Sequence, residues 1–136
     1  MKIRKIISVV VISIILFGFQ GPTLFEVHYS KNGKTQLSCN DKVRLDSSVV
    51  YEMKNNKNYN LIIIGHSNLT ESSVDDTILS YKRAIKAKKY IVSKGIEESR
   101  VKCRGIGGKE SYKTELGGGD DVENRNRRTV FKIYQN

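Results

Sequence analysis

Residues 61–95 read LIIIGHSNLTESSVDDTILSYKRAIKAKKYIVSKG, and this stretch decides the fold. It opens on Leu61-Ile62-Ile63-Ile64, apolar at every position, the pattern of a central strand covered on both faces or paired on both edges. Gly65-His66-Ser67-Asn68 then makes a polar turn. Asp75 and Asp76 suit the positive end of a helix dipole, and Gly95 is a good left-handed stop for that helix. Along it, Ile78, Ile85 and Val92 share a face with Tyr81, widened by Ala84, Ala87 and Ile91, and that face is expected in the core. Lys82, Lys86 and Lys89 fall opposite, as an ordinary solvated side.

Outward from this centre the remaining elements are shorter. Thr23 to Tyr29 alternates as a first strand, with Leu24, Phe25, Val27 and Tyr29 apolar, and Ser30 to Lys34 with Asn32-Gly33 is a turn. Asn40 or Asp41 is expected to cap a first helix whose stripe is Leu45, Val49 and Met53, and Asn55-Asn56-Lys57-Asn58 ends it. Val101 to Ile106 is a third strand. A polar loop with Gly117-Gly118-Gly119 leads to a last strand over Thr129 to Tyr134. Right-handed crossovers and an antiparallel final strand make this a two-layer α/β (α+β) sandwich with a small mixed sheet in βαβαββ order.

The N-terminus is of another kind. Lys2, Arg4 and Lys5 precede a charge-free run of fourteen residues, Ile6 to Phe19, the pattern of an export signal. That is shorter than the roughly 20 residues a spanning helix needs, which favours a cleaved signal peptide over a permanent anchor. The poor cleavage pattern keeps an uncleaved membrane tether open. Residues 1–21 are therefore read as signal or anchor and 22–136 as a single domain. No cysteine lies near residue 20, which argues against a lipid-modified N-terminus.

The positive start holds that end in the cytoplasm and sends the remainder across the membrane. The formal net charge is +10; without the three leading cations 21 basic and 14 acidic residues remain, a surface that adheres to polyanions. For an exported chain, cell-wall polymer or anionic lipid fits that charge better than nucleic acid. Cys39 and Cys103 either form a disulfide or leave Cys103 as a small core residue. Two histidines and two cysteines without ligand-like spacing make no metal site, and no cofactor is implied.

Chemistry is sought where the turn leaves the central strand, the usual ligand position in open α/β sheets. Backbone N–H groups near Gly65 and the following helix N-terminus favour an anion. Arg83, about two turns into that helix, has the planar fork that holds a carboxylate, and the residue at position 68 could face an ammonium. Together they suit a zwitterion. The alternative for Arg83 is a surface ion pair with Glu71, Asp75 or Asp76. His66 has no third member for a catalytic set, and its ring is expected to hydrogen-bond the turn. No nucleophile with a base, paired acids or metal set marks an enzyme.

Five motifs then stand in register: Gly65-His66-Ser67-Asn68, Leu79-Ser80-Tyr81-Lys82-Arg83-Ala84, Lys94-Gly95-Ile96, Arg104-Gly105-Ile106-Gly107 and Asn126-Arg127-Arg128. They resemble, over residues 61–134, the OmpA-like domain, a periplasmic module that binds peptidoglycan without cleaving it. The resemblance implies that Arg83 grips the carboxylate of stem-peptide diaminopimelate, fifteen residues after Asn68, which stands where the family has an Asp for the ammonium. Glu71 replaces the family's Gly, Asp76 its Asn, and Gly108 a common Glu. Glu71 or Asp76 could restore the missing charge; the plainer role of Asp76 is a helix-end charge. Asn126 is expected to tie its loop to the turn, and Arg127 or Arg128 to add to the carboxylate site.

Peptidoglycan is thus the implied partner, with envelope proteins as further candidates and the membrane through the N-terminal segment if it is uncleaved. The implied place is the periplasm or cell envelope, including its outer membrane. The alternative is an interaction subunit of an envelope or secretion assembly that has lost or altered wall binding, which Asn68 favours.

Overall fold

The computed structural model describes residues 23–68, 75–110 and 125–135. The N-terminal segment, Glu71 and the Gly117-Gly118-Gly119 loop lie outside the described residues. Chain order is β1 (Thr23–His28), α1 (Cys39–Leu45), a π-helical turn (Asp46–Val50), α2 (Tyr51–Asn55), β2 (Tyr59–Gly65), α3 (Asp76–Ser93), a 3-10 turn (Glu98–Arg100), β3 (Val101–Gly105) and β4 (Arg128–Gln135). The strands form a mixed sheet in the order β1-β4-β2-β3, with β2 parallel to β3 and antiparallel to β4. The expected two-layer βαβαββ sandwich is what forms, and the apolar run of β2 is explained by its partners on both edges.

Strand alternation sends Phe25, Val27, Leu61, Ile63, Val101, Phe131 and Ile133 to one face. There they pack in a single core with Leu45, Val49 and Met53 from the first helical segment and Ala84, Ala87 and Ile91 from α3. Leu24, expected among the apolar strand members, is 58% exposed, because alternation turns it to the helix-free face. The stripe Leu45-Val49-Met53 steps by four residues, which drifts round an ideal helix by about 40° per step. The π-helical turn between α1 and α2 has a wider repeat and takes up that drift, leaving all three buried.

The cap of α1 is Ser38 and not Asn40 or Asp41. Its Oγ accepts from the Asp41 amide at 3.1 Å, and Asp41 Oδ2 accepts in return from the Ser38 amide at 3.2 Å. The side chain of Asp41 serves as the fourth member of a capping box. Helix α2 ends where expected, and there Arg100 performs a task absent from the pattern. Its Nη2 donates to the Met53 and Asn56 carbonyls at 2.9 and 2.8 Å and its Nε to Tyr59 O at 2.9 Å. One arginine so satisfies the open carbonyl end of a helix and fixes it to the start of β2.

Helix α3 begins after Asp75, whose Oδ1 accepts from the Thr77 amide at 2.8 Å, and stops before Gly95, at φ 93°. Its buried face is the expected one in part. Ala84, Ala87 and Ile91 are buried as expected, with Ser80 and Arg83 beside them, whereas Ile78 and Tyr81 are 48% and 46% exposed. The cause is close approach. A Cβ at Gly65 would run into the Ser80 carbonyl oxygen, and one at Gly105 into the Tyr81 amide nitrogen and Ser80 Oγ. These two glycines let the helix backbone settle onto β2 and β3 along its small residues, so the bulky stripe is turned outward. Lys86 is not wholly solvated either, since its Nζ donates to Thr35 Oγ1 at 2.8 Å. Cys39 is exposed and Cys103 packs against the core, both as free thiols, so no disulfide joins them.

Candidate functional site

The C-terminal end of β2 runs into the turn 66–68, and this turn is held from three sides. The His66 amide donates to Arg128 O at 2.8 Å, and the Ser67 amide to Gly107 O at 3.0 Å. Ser67 Oγ donates to Asp76 O at 3.2 Å, which joins the turn to the first residue of α3. Gly107 in turn donates its amide to Ser80 Oγ at 2.9 Å. The N–H groups of His66 and Ser67, expected to favour an anion, are therefore committed to the protein's own carbonyls.

Arg83 lies one layer beneath. Its side chain is fully buried, 0% exposed, so it is not a surface residue; of the acids expected to pair with it, Glu71 lies outside the described residues. Nη1 donates to His66 O at 3.0 Å, and Nε donates to Lys34 O at 2.8 Å. The guanidinium lies over the Tyr29 ring, 4.6 Å from its centroid. A cation in the interior needs such compensation, here from carbonyl dipoles and an aromatic face. Tyr29 OH hydrogen-bonds Thr129 Oγ1 at 2.9 Å. Burial raises the Tyr29 pKa, partly opposed by the Thr129 bond and by the Arg83 charge.

The other sequence-predicted residues gather round the same turn. Asn126 Nδ2 donates to Asn68 Oδ1 at 3.4 Å, the tie between loop and turn that was expected of it. Arg127 donates from Nε to Tyr29 O at 3.0 Å and from Nη1 to Asn32 Oδ1 at 2.9 Å, so it fixes the backbone of the tyrosine on which Arg83 stacks. Arg128 reaches the Arg125 and Glu110 carbonyls, each at 3.3 Å. Asp76 meets the turn through its carbonyl. Asn68, Arg83, Asn126 and Arg127 are all buried. Tyr29, Lys34, Ser80 and Thr129 complete the cluster and were missed as site residues; a tyrosine closing an alternating strand was the one available signal.

His66 does not hydrogen-bond the turn as expected through Nδ1, which is buried without a hydrogen-bond partner among the described residues. Burial, and then the charges of Arg128, Lys132 and Arg104, lower its pKa to about 4. The folded state therefore binds this proton less readily than the unfolded chain, whose histidine titrates at about 6.5. Stability is full above that value, and declines as pH falls from it toward about 4, where the folded imidazole itself charges. Urea unfolding measured across this range is expected to show the decline, and His66→Asn to remove its histidine component. An equal slope in both proteins would show that other groups cause it.

No group of three metal-ligating side chains occurs among the described residues, and no described helix is long and apolar enough to cross a membrane.

A family model described as the OmpA family matches residues 29–127. No curated protein sequence matches the chain significantly. Among solved structures, it is similar to the OmpA-like domain of FopA1 from Francisella tularensis, at 18% identity and TM-score 0.67 over 84% of this chain and 73% of that one. It is also similar to the peptidoglycan-associated lipoprotein from Burkholderia pseudomallei, at 17% identity and TM-score 0.69 over 80% of this chain and 89% of that one. The cell wall anchor of the T6SS from Pseudomonas aeruginosa gives 14% identity and TM-score 0.70 over 85% and 82%. At such identities these likenesses speak for fold. The family model covers most of the length, including the turn 65–68 and helix α3, so the chain belongs to the OmpA family.

Proposed function

We propose that the chain is a non-catalytic peptidoglycan-binding module of the cell envelope, exported to the periplasmic side. Arg83 takes the carboxylate and Asn68 the ammonium of stem-peptide diaminopimelate. The observation that carries this reading is that Arg83 Nη1 bonds the His66 carbonyl, two residues before Asn68, in a member of this family. Asn126 bonds the Asn68 amide oxygen and so orients the group that faces the ammonium. Arg127 holds Tyr29 over the arginine, and Asp76 adds negative charge beside the turn. Two similar structures, a peptidoglycan-associated lipoprotein and a cell wall anchor, support it.

Binding requires the ligand's carboxylate to take over guanidinium donors that now face Lys34 O and His66 O. That same enclosure favours a second reading, a protein-interaction subunit of an envelope assembly in which the clamp has become internal. Sedimentation with purified peptidoglycan separates the two. A charge-assisted hydrogen bond is about twice as strong as a neutral one, so under wall binding Asn68→Asp should raise affinity about tenfold. Arg83→Lys, confirmed folded, should lower it. Retention indifferent to both changes would support the interaction subunit, and retention that fades equally with salt in all variants would mean diffuse charge.

A further inference from the structure

The helix-free face of the sheet carries a separate pattern. Register places Lys102, Ile62, Lys132 and Leu24 in one row across the four strands, and Arg104, Ile64, Val130 and Glu26 in the next. Lys102, Arg104 and Leu24 are exposed, and Ile62, Lys132 and the neighbouring Tyr134 are half-buried. Strands about 4.8 Å apart put Lys132 about 10 Å from Lys102, with Arg104 about 7 Å along the same strand. None of these three cations has a hydrogen-bond or ion-pair partner among the described residues. Glu26 is the one acid the four strands place on this face, and its Oε2 lies 3.2 Å from His28 Nε2.

We propose that this face docks on a bilayer surface, with Lys102, Arg104 and Lys132 meeting anionic phospholipid headgroups. Two observations select a bilayer among polyanions. Ile64 and Val130 of the second row are buried, but along the first row the cations alternate with apolar side chains, so Leu24, Ile62 and the neighbouring Tyr134 can enter the headgroup region while the long cationic side chains reach phosphates. Leu24 also sits at the start of β1, whose first residue follows Phe19 by four positions. Four residues reach at most about 14 Å, so insertion of the apolar run 6–19 would hold this end of the sheet at headgroup level. A second copy is a poor occupant, because it would bring the same three cations. The field of these charges is felt on the protein itself, since Lys132 and Arg104 join Arg128 and burial in depressing the His66 pKa.

The test uses the full chain mixed with vesicles of phosphatidylcholine alone, or of equimolar phosphatidylcholine and phosphatidylglycerol. A water-soluble amine-reactive ester then reports lysine accessibility by mass spectrometry. Anionic vesicles should protect Lys102 and Lys132 about fivefold or more relative to neutral ones, leaving exposed Lys57 and Lys82 unchanged. Arg104→Gln, which leaves both lysines in place, should weaken that protection by about fivefold in lipid concentration. Even protection of all four lysines would overturn the proposal in favour of diffuse attraction. Protection by soluble polyphosphate but not by vesicles would overturn it in favour of a polymer. Lys102 and Lys132 unreactive before lipid is added would overturn it by showing the face already covered.

Discussion

Gly65→Ala is expected to abolish folding or to remove at least about 4 kcal/mol of stability, since a Cβ there makes the closest clash of any described glycine. The new Cβ would run into the carbonyl oxygen of Ser80, which belongs to a helix backbone and cannot rotate aside. Relief has two routes. Helix α3 can lift away, giving up the packing of Ala84, Ala87 and Ile91 on Leu61 and Ile63. Alternatively, the end of β2 can withdraw from Gly105 on one side and Thr129 on the other, taking the turn 66–68 with it. Gly33→Ala is the matched control: a Cβ there meets open space, so the loss reflects only its φ of 70° and should be about 1 kcal/mol. Urea midpoints of the two variants make the comparison. A folded Gly65→Ala within about 1 kcal/mol of the parent would mean the helix stands further from the sheet than described.

Arg83→Ala should cost about 3 kcal/mol and loosen the segment between β1 and α1. Two buried or half-buried carbonyls, Lys34 O and His66 O, lose a charged donor, and hydrogen bonds to charged groups contribute about 1.5–3 kcal/mol each. The Tyr29 ring loses its cation as well. Lysine is no full substitute, because its single ammonium cannot reproduce a planar fork aimed at two carbonyls. Chemical denaturation measures the loss, and hydrogen exchange at residues 34–37 reports the loosening. Should Arg83→Ala keep full stability yet lose wall binding, the guanidinium serves the ligand alone. Lost stability with unchanged sedimentation would identify it as an internal brace.

The chain order of the elements and the mixed sheet were legible because β2 is apolar throughout and because stop residues such as Gly95 have one favoured use; the order of strands within the sheet was not. The face of α3 was legible only in part. Periodicity weighs large side chains, whereas the contact with the sheet is made by Ser80, Ala84 and Ala87 opposite Gly65 and Gly105, residues that count little in any hydropathy pattern. The Ser38 cap was written in the sequence as Ser-x-x-Asp, but the adjacent Asn40 and Asp41 offered equally good side chains, and the choice rests on which residue has extended backbone. The residues singled out in the sequence do gather round one turn, where their motifs converge. Their enclosure was not legible, because a motif names Arg83 without saying whether Tyr29 and Lys34 close over it.

The position of β4 has a bearing on how the molecule is made. It is the last of the described elements yet the second strand of the sheet, lying between β1 and β2. Until it arrives, β1 has nothing to pair with and β2 has only β3, so the two halves of the sheet share no ladder. Closure of the sheet therefore waits for β4, and the most sequence-distant contacts are the ones that complete the structure. Cleavage before residue 128 would leave β1 as an orphan segment open to proteolysis.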